Sequence, residues 1–210
     1  MSVTENIAKF IAGTKAQDIP PRVFALAKRN VIDTLGVAIG ASQSGVAGAL
    51  RKLAAPSHQG EAFLWNGHGR AAVTDAAWMN GALAHALDFD DGGVALTPMH
   101  PSSPVLPALW ALGESINCTG RDLLAAYIVG LEVECKLASA ISLTHYDHGW
   151  HATAVLGAFG AAAGAGWLLG LTEAQMRTAI GITASMTGGL RANFGTMTKP
   201  LHAEIGRAHV

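Results

Sequence analysis

The chain has 210 residues and a formal net charge of −1; half of its residues are hydrophobic and 14% are charged. Such a chain can bury a sizeable core, and without a basic block it does not suggest nucleic acid or an anionic membrane surface as a partner. Cys118 and Cys135 suit a reduced protein better than a disulfide framework, and the N-terminus lacks the regions of a signal peptide. We therefore expect a cytoplasmic protein.

Alanine and glycine dominate the composition, and alternation of Val, Ile and Thr is scarce. This pattern predicts an all-α fold of closely packed helices. A single extended segment, Glu61 to Trp65, is followed by the turn Asn66-Gly67. The predicted helices cover, in chain order, residues 4–11, 23–39, 44–55, 72–87, 101–116, 123–141, 152–169 and 172–186.

One of these segments reaches the length of a membrane span. Ala152 to Leu171 is twenty residues long and contains no charged residue. It also contains five glycines and few large apolar residues, which favours close helix packing inside a folded core. We predict a buried core helix here, with a membrane span as the alternative.

Three carboxylates follow the predicted helix 72–87 at short spacing: Asp88, Asp90 and Asp91. If they share a partly dry site, their mutual repulsion raises the pKa of at least one of them towards the range useful for proton transfer. The alternative is a solvated helix end at which the acids cap nearby amides.

Histidines form a second unusual group. His145, His148 and His151 are spaced by three, and His100 precedes another predicted helix. A metal site built from these imidazoles and the nearby acids is one interpretation. However, Gly149 interrupts the spacing, and the chain has no HExxH, cysteine-pair or EF-hand pattern. We therefore expect no metal.

His100 and His151 each lie directly before a predicted helix, where unpaired amides favour an anion or a developing oxyanion. The glycine-rich loop 188–199 adds Arg191 and Lys199, which suit a substrate carrying several carboxylates. An ordinary connecting loop is the alternative. Acids, imidazoles and cations in one place would suit proton abstraction beside a carboxylate. Elimination, decarboxylation and epimerisation remain open as the reaction that follows.

Four motifs, in this order, resemble the MmgE/PrpD family. They are Asn80-Gly-Ala-x-x-His-Ala-Leu-Asp-Phe-Asp-Asp91, His100-Pro-Ser, Gly149-Trp-His151-Ala-Thr with the small-residue run from Gly157, and Gly195-Thr-Met-Thr-Lys-Pro-Leu-His202. The family includes 2-methylcitrate dehydratase, cis-aconitate decarboxylase and iminodisuccinate epimerase. The resemblance implies a multi-helix domain joined to a smaller α+β lid in complete members. It also implies homodimers, no cofactor and no metal, and a pocket for di- or tricarboxylates.

The resemblance places Asp88, His100, His151 and Lys199 at active-site positions. Our hypothesis gives proton transfer to His100 and His151, and binding of a substrate carboxylate to Lys199. Asp88 would orient a histidine or share a proton with it. We also expect Arg191 and Ser102 to bind substrate, together with Lys199.

Within the family, we predict a hydro-lyase similar to 2-methylcitrate dehydratase. Epimerisation and decarboxylation are the alternatives, and a catalytically silent helical oligomerisation or binding module is the alternative from another class. The decarboxylase has a threonine shortly after its paired acids, where this chain has Gly92-Gly93. That departure favours dehydration over decarboxylation.

We expect residues 1–203 to form an incomplete helical domain, truncated before the lid, because residues 204–210 read poorly as family sequence and resemble a non-native tail. The isolated 210-residue chain is then predicted to be inactive, since active-site groups from the rest of the protein are missing. Measurable turnover of a carboxylate substrate by the purified chain would contradict this expectation.

Overall fold

The computed structural model describes residues 2–53, 60–67, 69–92 and 98–205. The α-helices of this part of the chain are α1 Val3–Gly13, α2 Pro21–Gly40, α3 Gly45–Leu53, α4 Val73–His85, α5 Ser102–Ser115, α6 Gly120–Asp147, α7 Ala152–Leu168, α8 Glu173–Met186 and α9 Thr198–Ile205. Strands β1 Ala62–Phe63 and β2 Arg70–Ala71 pair antiparallel, with Ala62 opposite Ala71. The predicted all-α fold is confirmed, and the extended segment forms the first strand of a short hairpin.

Local sequence explains where several helices begin. Thr172 and Gln175 form a capping box at the start of α8, and the Thr119 hydroxyl accepts a hydrogen bond from the backbone N–H of Asp122 at the start of α6. At α1 the cap is Ser2, which forms a capping box with Glu5. The first helix therefore begins before Thr4, the residue that the sequence analysis places at its start.

Helix α6 is longer than predicted, since it extends past Ile141 to Asp147 and includes His145. The helix ends where His148 caps it and Gly149 adopts a φ of +91°, a conformation that suits glycine. The histidine run is therefore split between a helix end and a loop. The same helix turns Glu134 into the interior, so Glu134 is buried while Lys136 is exposed.

Helix α7 packs against α5, α6 and α8, and most of its residues are buried. Glycines permit this close packing. A β-carbon on Gly130 of α6 would lie 2.6 Å from the carbonyl oxygen of Gly160, and one on Gly164 would lie 2.7 Å from the Leu109 side chain. The predicted core helix is thus confirmed. Within the described ranges, no helix combines the length and apolar character that crossing a membrane requires.

The packing brings the ends of four helices to one place. Helix α4 contacts both α5 and α9, and α7 contacts α5 and α9 as well. The C-terminal end of α4 and the N-terminal ends of α5, α7 and α9 carry the polar side chains of the cleft described below.

Two glycine substitutions test whether the α6–α7 contact limits stability. Gly130→Ala should lower the free energy of unfolding by about 1–3 kcal/mol, because the new methyl group meets the backbone of α7. Gly181→Ala is the matched control: Gly181 lies inside α8 with no atom near its would-be β-carbon. It should stabilise the chain by about 0.5–1 kcal/mol. Urea denaturation measures both changes, and an equal effect of the two would contradict the packing argument.

Candidate active site

The chain reverses after α4 in a turn, residues 86–92, that separates the three neighbouring carboxylates. Asp88 has a φ of +53°, and its carboxylate binds the ammonium group of Lys199. Asp90 Oδ2 lies 2.8 Å from His85 Nδ1, and Asp91 accepts hydrogen bonds from the backbone and hydroxyl of Ser102. The acids therefore have separate partners on α9, α4 and α5.

His85 is a site residue that the sequence analysis did not single out, although it stands in the first quoted motif. It is 1% exposed, and among the described residues its Nε2 has no hydrogen-bond partner. Burial lowers the pKa of His85 more than the hydrogen bond and charge of Asp90 raise it. The ring is therefore neutral and donates its Nδ1–H to Asp90.

The pKa values of the three acids move in different directions. Burial raises the pKa of Asp91 despite its hydrogen bonds from Ser102. Burial also acts to raise the pKa values of Asp88 and Asp90, but Lys199 holds that of Asp88 below its usual range, and His85 does so for Asp90. The close spacing of the three acids predicts a pKa raised by mutual repulsion. Of the three acids, only Asp91 has a raised pKa, and the main cause is burial.

His100 is fixed by several contacts at the start of α5. Its Nδ1 lies 3.1 Å from the carbonyl oxygen of Asp91, and its backbone N–H donates to Thr153 Oγ1 at 3.0 Å. A carbonyl oxygen only accepts, so Nδ1 carries the hydrogen. In the neutral ring, Nε2 is then unprotonated, and it lies 3.4 Å from Asp88 Oδ1.

His151 precedes the first turn of α7 and is 1% exposed. Its Nδ1 lies 2.8 Å from Nε2 of His202, and its backbone N–H donates to the carbonyl of Gly189 at 2.9 Å. The ring stacks on His85 with 5.8 Å between centroids and meets the edge of Phe194 at 4.9 Å. These contacts leave little rotational freedom for the imidazole.

These side chains surround a cleft of about 320 Å³. Its lining residues are Asp88, Gly92, Pro98, Met99, His100, Tyr146, His151, Thr153, Phe194, Gly195 and Lys199. The structure thus brings together all four residues predicted to be catalytic: Asp88, His100, His151 and Lys199. Two imidazoles and one ammonium group facing a cleft of this size can bind a small polycarboxylate and move a proton on it.

The structure does not bring Arg191 or Ser102 to the cleft lining. The Arg191 guanidinium lies 4.6 Å from the ring centroid of Tyr146 and donates to the carbonyl oxygen of that residue at 3.1 Å. Ser102 is fully buried, and its hydroxyl lies 2.5 Å from both Asp91 Oδ2 and Tyr127 Oη. Both side chains make contacts within the protein, and the substrate contact predicted for them stays a prediction.

Four of the described residues could in principle hold a metal ion, since His85, Asp88, Asp90 and His100 each offer one ligand atom within 4.8 Å of the others. However, His85 and Asp90 already bind each other, and Lys199 supplies a positive charge at Asp88. An incoming cation would have to compete with both interactions. The expectation of a metal-free site stays a prediction.

Comparison with known proteins gives consistent matches. The family model of the MmgE/PrpD N-terminal domain matches residues 5–210. A cis-aconitate decarboxylase from Homo sapiens is 36% identical, with 99% of this chain and 44% of that protein aligned. For one from Aspergillus terreus, the identity is 31%, with 94% and 42% aligned. The chain spans less than half the length of these curated relatives.

The buried neutral state of His85 predicts a pH-dependent stability. Below the ordinary histidine pKa of 6.5, the unfolded chain binds a proton at residue 85 that the folded chain resists. The stability that wild type has over His85→Gln should therefore shrink by up to about 1.4 kcal/mol for each pH unit below 6.5. Denaturant unfolding at several pH values measures this difference. A difference that grows on acidification would show that the folded protein favours the charged ring.

Proposed function

The chain belongs to the MmgE/PrpD family, and we propose that the complete protein is a lyase acting on a di- or tricarboxylate. The leading candidate reaction is decarboxylation of cis-aconitate or a close analogue. The observation that carries this proposal is the cleft at which His100, His151 and Lys199 meet. The similarity to the human and Aspergillus terreus cis-aconitate decarboxylases favours this reaction over dehydration, which is the reaction predicted from the sequence.

Substrate binding would rest on positive charge at one side of the cleft. Lys199 is 8% exposed, and its ammonium group lies 5.1 Å from the ring centroid of Phe194, so it is largely shielded from water. A substrate carboxylate would contact this ammonium group in competition with Asp88. The first turn of α7, which has no side-chain cap, adds amides and partial positive charge beside His151.

The chemistry of decarboxylation needs few groups. The carbon–carbon bond breaks, its electron pair stays on the substrate carbon, and the carboxylate leaves as carbon dioxide. The electron pair is delocalised into the remaining conjugated system and is then quenched by one proton from an acid. His151 is our candidate donor of that proton, while Lys199 holds a carboxylate and offsets the developing negative charge.

Dehydration is the second candidate, and the geometry of His100 favours it. Elimination of water needs a base to remove a proton from carbon and an acid to protonate the leaving hydroxyl group. Nε2 of neutral His100 is an acceptor close to Asp88, so it can serve as that base while His151 serves as the acid. Of the two residues at which the sequence departs from the decarboxylase, Gly92 is described and Gly93 lies outside the described part.

An assay of the full-length protein distinguishes these reactions. Carbon dioxide release from cis-aconitate would support the leading proposal, whereas water loss from 2-methylcitrate or citrate would support the second. Epimerisation of iminodisuccinate would indicate an epimerase. Substrate binding without turnover and without proton exchange with solvent would indicate a silent binding module and would contradict both candidates. The homodimer implied by the resemblance and the cytoplasmic location expected from the cysteines and the N-terminus are likewise proposals.

His151→Gln in the full-length protein should lower turnover by at least about a hundredfold, because glutamine cannot exchange a proton with the substrate. His148→Gln is the matched control, since His148 is exposed at the end of α6 and does not line the cleft. Steady-state kinetics of both variants and wild type measure the effect. Near-normal turnover of the His151 variant would refute the role given to this residue.

A further inference from the structure

Two residues outside the cleft lining form a hydrogen-bonded chain that ends at His151. His202 lies on α9, and its Nε2 is 2.8 Å from Nδ1 of His151. The other nitrogen of His202, Nδ1, lies 3.0 Å from the side-chain amide nitrogen of Asn193. Neither His202 nor Asn193 lines the cleft, so both would act on the reaction through His151.

The donor and the acceptor of each of these hydrogen bonds follow from which atoms carry a hydrogen. The amide nitrogen of Asn193 only donates, so Nδ1 of His202 accepts and is unprotonated in the neutral ring. The hydrogen of His202 is then on Nε2, and it is donated to Nδ1 of His151. With its Nδ1 accepting, neutral His151 carries its own hydrogen on Nε2.

We propose that Asn193 and His202 are positioning residues that hold His151 as the Nε2–H tautomer and so make it a proton donor. The tautomer assignment stands on the hydrogen-bond geometry alone, whereas its consequence for catalysis rests on the proposed function. His100 is held in the opposite tautomer, with its hydrogen on Nδ1 and bound to the carbonyl of Asp91. One imidazole of the cleft is therefore prepared to donate a proton and the other to accept one.

The hydrogen-bonded chain of Asn193, His202 and His151 is called the relay below. The backbone around it is anchored at both ends. The segment that carries Asn193 is tied to the His151 loop by hydrogen bonds from Arg191 N–H to Gly149 and from His151 N–H to Gly189, each 2.9 Å long. The Arg191 guanidinium adds a contact to Tyr146. This anchoring gives Arg191 a structural role: it holds Asn193 within reach of His202.

Nuclear magnetic resonance tests the assignment directly in the 210-residue chain labelled with ¹⁵N-histidine. Long-range ¹H–¹⁵N spectra, recorded above the titration range of the imidazoles, report which ring nitrogen carries the hydrogen. We expect Nε2–H for both His151 and His202, and Nδ1–H for His100. If His151 shows Nδ1–H in the wild-type chain, the Asn193 amide is oriented the other way and the proposal is wrong.

Asn193→Asp provides the variant test, because a carboxylate accepts where the amide donates. Under the same conditions, Nδ1 of His202 should then carry a hydrogen, and both His202 and His151 should switch to the Nδ1–H form. Asn117→Asp is the control: it makes the same change of charge at an exposed position after α5 and should leave both tautomers unchanged. An unchanged His151 in the Asn193 variant would overturn the proposal. If that variant does not fold, the wild-type spectrum alone tests the proposal.

The kinetic consequence is measured in the full-length protein. Asn193→Asp should lower kcat by at least about tenfold and shift its pH profile, with a smaller effect on KM, whereas Asn117→Asp should leave all three unchanged. A purely structural role for Asn193 would lower the amount of folded enzyme without moving the pH profile. If the tautomers behave as stated but no substrate turns over, the proposed function is wrong and the relay stands. If His151→Gln abolishes turnover while the tautomers do not switch, the relay is wrong and the function stands.

Discussion

The turn at residues 86–92 determines the arrangement of the cleft, because each of its three carboxylates is bound to a different helix. Asp88 reaches Lys199 on α9, Asp90 binds His85 on α4, and Asp91 accepts from the first backbone N–H of α5. These are charge-assisted interactions, which are stronger than hydrogen bonds between neutral groups. The turn therefore fixes the relative positions of α4, α5 and α9 at the cleft.

The separate partners of these acids also determine the electrostatics of the cleft. Because Lys199 and His85 bind two of the three carboxylates, the acids do not compete for one proton as a closely spaced pair would. The proposed function therefore assigns proton transfer to the imidazoles. Asp90 and the carbonyl of Asp91 bind His85 and His100 respectively, so the backbone and side chains of one turn hold two rings in defined orientations.

Small residues at the α6–α7 contact make the other half of the cleft possible. Gly130, Gly160 and Gly164 let α7 approach α5 and α6 closely, since no β-carbon lies between the backbones. The N-terminal end of α7, with His151 in front of it, is thereby brought beside His85 and His100. The geometry of the cleft depends on glycines within the helices as well as on the polar residues themselves.

The sequence by itself determined the helical fold, the buried helix that begins at Ala152 and the four polar residues of the cleft. Small-residue composition, capping signals and motif order are local properties, and they can be read without coordinates. The sequence did not show the contacts of His85, His202 and Asn193, nor that Ser102 and Arg191 make contacts within the protein. Those contacts depend on which atoms meet between residues that are far apart in the chain, such as Asp88 and Lys199, which are separated by 111 positions. Only the tertiary structure decided them, because hydrogen-bond partners and burial are set by the packing of helices that are distant in the chain.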